Sequence, residues 1–394
     1  MSEIYDVLIV GSGPGGSTAA YFLGEAGKRV LMLEKESLPR YKTCGGGISA
    51  GLLEIFPFSF EPVIESHVKA VSYALGSREV TIQTPARPMR MVMRDRFDAY
   101  ILAHSRVEVR QGAAVRKVTE QEDRVVVETR SGEIFEGRYL IGADGASSIV
   151  ARELGLRRDK ELAAALELEV KPAAEVFERF RDTAVFIFGE LREGYLWIFP
   201  KSDHLSIGIA GLHPRPGELQ ATLQRVMERY RISLEGAIQH GHPLPFYTRR
   251  ELISTRRALL VGDAAGLVDP FDGEGIRFAI KSGRLAALAI LNGQPEQYPA
   301  WVQRQIGRGH LWARFLAYLF YRFPRACFAL GVRNPFATQA FIDFFSERAG
   351  YPELILRLFG TLPLFLLTEV VARLVGLVGG RGQRERLRST IYGI

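Results

Sequence analysis

Apolar residues along this chain fall into two rhythms. YDVLIV at 5–10 is a continuous run of strand length, and PGGSTAAYFLGEA at 14–26 follows it with small residues at helical spacing. KRVLMLE at 28–34 is a second buried run, so the opening reads as a strand–helix–strand unit of about thirty residues. RYLIGADG at 138–145 and RALLVGD at 257–263 repeat the buried-strand pattern, and a helix is predicted at roughly 274–292. Elsewhere the runs are short and β-like: VKAVSYAL, VVVETR, LAAALELEV, TAVFIFGEL, YLWIFP and HLSIGIAG. From 296 onward the pattern turns helical and rich in Phe, Leu and Tyr. This order predicts a discontinuous nucleotide-type domain at 1–60, 90–155 and 250–295. It also predicts a β-sheet domain at 61–89 and 156–249, and a helical region at 296–394.

The stretch 352–378 invites comparison with a membrane span. Its longest uncharged run, 358–368, is only eleven residues, closed by Arg357 and Glu369; a span needs about 20. With Arg373 beyond, amphipathic helices packed on the core are predicted, and contact with a membrane surface is the competing reading.

Apolar residues make up 47% of the 394 and charged residues 24%, enough for a sizeable core. Cys44 and Cys327 are too few for a disulfide framework, which suits a reducing, cytoplasmic setting, and no signal peptide is expected. The net charge is +7, with arginine scattered except at Arg381, Arg384, Arg386 and Arg388. No nucleic-acid motif accompanies it, so a peripheral membrane role is the better match for the charge. No Cys/His cluster has metal spacing, and His67, His204 and His242 stand alone, read as satisfied or exposed.

The chemistry begins at GSGPGG, 11–16. Gly11, Gly13 and Gly16 have G-x-G-x-x-G spacing, with Gly15 between, after a strand and at the start of a helix. Gly11 permits a tight turn, Gly13 lets backbone approach a pyrophosphate, and Gly16 lets the helix sit on the strand. The helix N-terminus offers free N–H groups to the phosphates. Glu34, ending the next strand, can accept both ribose hydroxyls, which favours FAD or NAD over NADP. In the second half, ALLVGDAAGLVDPFDGEGIRFAI at 258–280 places Asp263 after a buried strand, then a glycine turn at Gly273 and Gly275 before a helix from Ile276. Asp263 suits a ribityl hydroxyl, with a helix N-cap as the alternative. The second helix start suits the pyrimidine side of a flavin.

GSGPGG with Glu34, GADGASS at 142–148 and GDAAGLVDPFDGEGI together resemble the FAD-dependent superfamily typified by para-hydroxybenzoate hydroxylase, over roughly residues 1–290. The resemblance implies a Rossmann-like FAD-binding domain interleaved with an antiparallel β-sheet substrate domain, an α/β fold with an α+β substrate part and C-terminal helices. It implies FAD contacts for Asp263, for Arg94 in R-x-x-F-D (with Arg96 as a rival) and for the Val115 backbone at the adenine. It associates Asp144-Gly145 with the cofactor-site architecture. TCGGGIS at 43–49 and GYLWIFPKSDHLSIGIAG at 194–211 are similar to the C-x-G-G and Y-x-W-x-F-P motifs of geranylgeranyl reductases. Gly208 matches the downstream motif, Ala210 stands where its last glycine is expected, and GEGI with Glu274 replaces the usual GGGI. That similarity implies saturation of isoprenoid double bonds in lipids, (bacterio)chlorophyll side chains or quinone tails. A hydroxylase, an epoxidase or a flavin halogenase is the alternative.

An isolated alkene has no carbonyl to activate it, so hydride arrival must be matched by proton delivery to the other carbon. A dry, aromatic-walled channel serves that step. Tyr195, Trp197 and Phe199 alternate on one strand face, ending at Pro200, and are the expected channel; a plain core stripe is the other reading. Tyr195 and Trp197 are also catalytic candidates, because aromatic faces stabilise positive charge. Cys44, Gly45 and Gly47 are expected beside the flavin. For Cys44 three roles compete: weak acid, redox-sensitive regulator and packing thiol. No second dinucleotide motif follows a strand, and GLVGGRG at 376–382 lacks that context. The chain therefore does not read as a two-dinucleotide disulfide reductase, and transiently bound NADPH, ferredoxin or another donor is the expected electron source.

Overall fold

The computed structural model describes residues 4–84, 89–159 and 161–392. Residues 85–88, at an expected domain boundary, lie outside them, as do the side chains of Arg381, Arg384 and Arg388.

Five strands form a parallel spine in the order Glu108–Arg110, Val30–Leu33, Tyr5–Val10, Ile134–Gly142 and Ala258–Leu260. A hairpin of Val115–Glu120 and Val125–Thr129 extends the other half of Ile134–Gly142 antiparallel to it. The apolar runs are continuous because both faces of the spine are covered. Helices Pro14–Glu25 and Ile276–Leu291 pack directly on each other. Small residues permit that approach: a Cβ on Gly283 would lie 2.2 Å from the Gly15 carbonyl oxygen, and one on Gly16 would lie 2.0 Å from that of Gly11.

The second sheet has seven strands in the order Gln239–Phe246, Glu161–Val170, Leu205–Leu212, Gly194–Pro200, Thr183–Phe188, Ala70–Leu75 and Arg78–Gln83. It is antiparallel as expected except at one seam, where Thr183–Phe188 runs parallel to Ala70–Leu75. A three-stranded sheet that the residue pattern did not suggest joins Gly47–Ser49, Met89–Val92 and Ile64–His67. Its strands are too short to show a period. It ties the triple-glycine stretch to the strand that leads into the Arg94–Ala103 helix.

The C-terminal region is helical, and its last element is one helix, Tyr351–Tyr392, with Pro363 inside it. The expectation of several core-packed helices is corrected here. Leu356, Leu367 and Leu377 are 72%, 62% and 81% exposed. Charges at 357, 369 and 373 are too sparse to confine the apolar residues to one face, so a single packed face cannot bury them all.

The contact between the two spine helices generates a prediction. Gly283→Val should destabilise the fold by about 1–3 kcal/mol, the usual cost of overpacking, measured by denaturant unfolding, whereas Gly309→Ala, in the helix Arg308–Arg322 where an added Cβ meets nothing within 4 Å, should cost less than half as much.

Candidate active site

One cavity of about 1620 Å³ runs from the glycine turn of the spine to the C-terminal helices. At its first end lie Gly11, Gly13, Gly15, Glu34, Val115 and Asp144. The Glu34 Oε2 accepts from the Ser12 backbone N–H at 2.8 Å and the Ser12 hydroxyl at 2.6 Å, and its Oε1 accepts from the Glu36 N–H at 3.0 Å. Burial pushes this carboxyl up, but those donors and Arg40 hold it below the usual carboxylate range. Gly13 faces the guanidinium ends of Arg40 and Arg94, at 3.7 and 4.0 Å from where a Cβ would sit. Arg94 is fixed by two 2.8 Å bonds to Asp98. Arg96, the rival candidate, pairs with Glu65 and does not line the cavity. An open backbone turn, two guanidiniums and a ribose-accepting carboxylate suit a pyrophosphate-linked dinucleotide.

Asp263 opens the turn Gly262–Ala265 and also lines the cavity. It caps no helix: the Ile276–Leu291 helix starts from Gly275 without a side-chain cap. Burial raises its pKa, but His242, 3.9 Å away, and Lys42 hold it below the ordinary value. The Lys42 ammonium lies 3.1 Å from His242 Nδ1, and its own pKa is lowered to about 8 by burial, with Arg94 adding to the effect. His242 has a partner, as expected, but that partnership places it in the cavity wall. Neither Lys42 nor His242 was a site candidate in the sequence. The available signal was Lys42, two residues before Cys44 in the same loop.

Asp144 has a local task. It accepts from the Ser148 hydroxyl at 2.5 Å and the N–H groups of Ile149 and Val150 at 2.7 and 3.1 Å, so it caps the following short helix while bordering the cavity.

The triple-glycine loop sits at the middle. The Cys44 N–H donates to Glu167 Oε2 at 2.7 Å, and the buried Lys201 ammonium donates to the carbonyls of Gly45 and Val92 at 2.8 Å each. Two of the glycines have separate reasons. A Cβ on Gly45 would lie 2.9 Å from the Trp197 Nε1, and Gly46 has φ +69° with the Val92 carbonyl 2.0 Å from its would-be Cβ. A Cβ on Gly47 would meet only ordinary contacts, 3.4 Å from Phe199. Packing against the aromatic strand therefore demands Gly45, and the backbone turn against Val92 demands Gly46, before any ligand is considered. Cys44 lines the cavity, and its Sγ accepts from the Gly46 N–H at 3.4 Å.

Beyond the loop the wall becomes aromatic. Tyr195, Trp197 and Phe199 share one face of their strand and all line the cavity, joined by Phe186, Phe188 and Phe320. Trp197 lies across Gly208, whose Cβ would be 2.0 Å from the indole, and Tyr195 pairs with Ala210. The Trp197 Nε1–H is buried with no protein partner, a donor left for a ligand oxygen. The Tyr195 hydroxyl donates to the Asp272 carbonyl, which makes it a wall rather than a free acid. Pro200 does not border the cavity; its carbonyl accepts from the Ser66 hydroxyl at 2.7 Å. Gly16 is likewise behind the wall, against Gly11. Gly275 and Ile276 line the cavity beside Asp263. The residue that replaces the usual middle glycine, Glu274, reaches the buried Arg277 at 3.0 Å, and Arg277 in turn holds Glu347 at 2.9 Å.

The FAD binding domain family matches residues 4–292. Digeranylgeranylglycerophospholipid reductase 2 of Methanopyrus kandleri is 30% identical over 72% of this chain and 76% of its own.

The chain belongs to the geranylgeranyl reductase family of FAD-dependent oxidoreductases.

The chloroplastic geranylgeranyl diphosphate reductase of Oryza sativa is 30% identical, and the match covers 73% of this chain and 66% of that enzyme's length. A geranylgeranyl bacteriochlorophyll reductase-like structure from Thermoplasma acidophilum superposes with a TM-score of 0.75 at 25% identity, covering 93% of this chain and 98% of that one. The fold described above is thus that of the geranylgeranyl reductase family. FAD, the cofactor this membership implies, fits the residues present: open glycine turns at both ends, the Glu34 carboxylate and the orphaned Trp197 donor.

A pH dependence follows from Glu167. Burial, with Glu169 adding, pushes its pKa up to about 7 from 4.5. The folded chain thus binds this proton more tightly than the unfolded one. The resulting stability is complete below about pH 4.5 and is lost as pH rises through about 7. Melting curves of wild type and Glu167→Gln between pH 5 and 8 should shift steadily against the wild type as pH rises, and parallel curves would contradict this assignment.

Proposed function

We propose that this protein reduces carbon–carbon double bonds in the prenyl chain of a lipid, pigment or quinone, using FAD. The observation that carries this reading is the continuity of the cavity: a dinucleotide-shaped end leads past the Cys44 loop into an aromatic and aliphatic channel. The names of the relatives, reductases of geranylgeranyl diphosphate and of digeranylgeranylglycerophospholipid, support a prenyl substrate. A long hydrocarbon chain fits such a wall, whereas a small polar aromatic leaves most of it uncovered.

Saturating one double bond adds a hydride and a proton. Bound, reduced FAD supplies the hydride equivalent. In our reading Gly11, Gly13, Gly15, Glu34, Arg94, Val115 and Asp263 hold the cofactor, and Gly45, Gly47, Gly275 and Ile276 border its ring end. Trp197, Tyr195 and Phe199 exclude water and present ring faces to a carbon gaining positive charge. Cys44 gives its thiol proton to the second carbon and recovers one from water, which reaches the loop at the exposed Tyr41. NADPH or ferredoxin returns the electrons to the cofactor.

FAD-loaded protein reduced with dithionite should raise the mass of a geranylgeranyl lipid in steps of two hydrogens. NADPH-dependent oxygen uptake coupled to a hydroxylated product, with no such gain, would overturn the reading. Cys44→Ser should retain FAD and lose on the order of a hundredfold in turnover; unchanged turnover would make the thiol a packing group.

A further inference from the structure

The excess positive charge and the exposed apolar side chains of this chain are concentrated in the same segment. Residues 296–394 hold 13 arginines, no lysine and six carboxylates. That excess of seven equals the +7 of the whole chain, so the first 295 residues are balanced. Of the 21 large apolar side chains exposed among the described residues, 15 lie between Leu311 and Leu377.

The helix Tyr351–Tyr392 is two-sided where it is described. Tyr351, Leu354, Ile355, Phe365 and Ala372 are buried against protein, while Leu356, Leu364, Leu367, Val370 and Leu374 are exposed. By length and composition its first 25 residues are able to cross a membrane. One flank is already occupied by protein, however, and a bilayer-spanning helix would have to give that packing up. A helix packed on protein along one narrow flank, with a bare apolar flank and arginines nearby, matches an element lying in the plane of the interface.

The cavity opens on this surface. Phe315, Phe323, Leu330 and Phe359 line the cavity and are nevertheless 47%, 51%, 37% and 55% exposed. A side chain that is both wall and surface marks a mouth. Trp312 and Tyr318, also exposed, stand on the same helix as Phe315 and supply the amphipathic rings favoured at a lipid–water boundary.

We propose that the C-terminal helices dock this protein on an anionic lipid bilayer, with the mouth between Phe315, Phe323, Leu330 and Phe359 facing the acyl chains. An apolar substrate tail then enters the cavity without crossing water. The arginine excess selects anionic headgroups over neutral ones and over an acidic protein, which has no use for the bare apolar flank. The direction of entry rests on the prenyl-reductase reading; the docking itself does not.

The test is flotation of FAD-loaded, full-length protein with phosphatidylcholine vesicles, with or without about one-third phosphatidylglycerol. Wild type should float with the anionic vesicles, and less in high salt. A variant combining Leu364→Glu, Leu367→Glu and Leu374→Glu, positions outside the cavity wall, should lose binding on the order of tenfold or more. It should keep its FAD absorbance and its turnover of a detergent-dispersed prenyl substrate, while turnover of the same substrate in vesicles falls with binding. No flotation of wild type overturns the proposal. So does a dimer by light scattering that the triple variant dissolves, since a second copy would then cover this face. Wild type that floats but turns over no dispersed substrate sinks the reductase reading and leaves the docking standing.

Discussion

One buried ammonium holds the two halves of the site in register. Lys201 is 1% exposed, and its hydrogen-bond acceptors are the carbonyls of Gly45 and Val92. Gly45 belongs to the loop that carries Cys44; Val92 ends the strand that feeds the Arg94 helix. Lys201 itself lies just past the aromatic strand Gly194–Pro200. A single charge thus ties the loop, the arginine at the dinucleotide end and the aromatic wall to one another. Burial pushes its pKa down, yet losing either carbonyl would leave a buried charge short of partners, a cost of several kcal/mol. Glu167 completes the clamp from the next strands of the same sheet by holding the Cys44 N–H.

The carboxylates along the cavity are not all held alike. Toward the glycine turn, donors hold two carboxylates below the usual range, Glu34 through Ser12 and Asp263 through His242 and Lys42, whereas burial raises Asp144. Near the aromatic end, burial pushes Asp272 and Glu274 up to about 7. Cations and ionised carboxylates suit phosphates and ribityl hydroxyls, and the aromatic lining suits hydrocarbon. This chain therefore joins a polar end and an aromatic end in a single chamber.

Much of this was legible in residue order. The continuous runs at 5–10, 138–145 and 257–263 became parallel strands because a strand covered on both faces leaves a plain apolar signature. The alternation of Tyr195, Trp197 and Phe199 placed three rings on one face, and they do line the cavity. What stayed hidden depends on contacts between distant segments. Lys201 and Glu167 look like ordinary strand-end and strand polar residues until the loop 156 and 123 positions away is folded against them. Lys42 and His242 meet across 200 residues. Pro200 ends the motif and so reads as part of the channel, but the strand alternation turns it away from the rings. In the long C-terminal helix the sparse charges suggest a core-facing stripe, but apolar residues surround the helix, so residue order does not tell which flank the protein covers.

The most direct measurement is a crystal structure of the FAD-bound protein with a geranylgeranyl lipid. The account predicts the adenosine end beside Glu34 and Val115, the ring end at the Cys44 loop, and the prenyl chain running past Tyr195 and Trp197 toward the C-terminal helices. A prenyl chain lying outside the aromatic channel, or FAD bound away from the Gly11–Glu34 end, would contradict it.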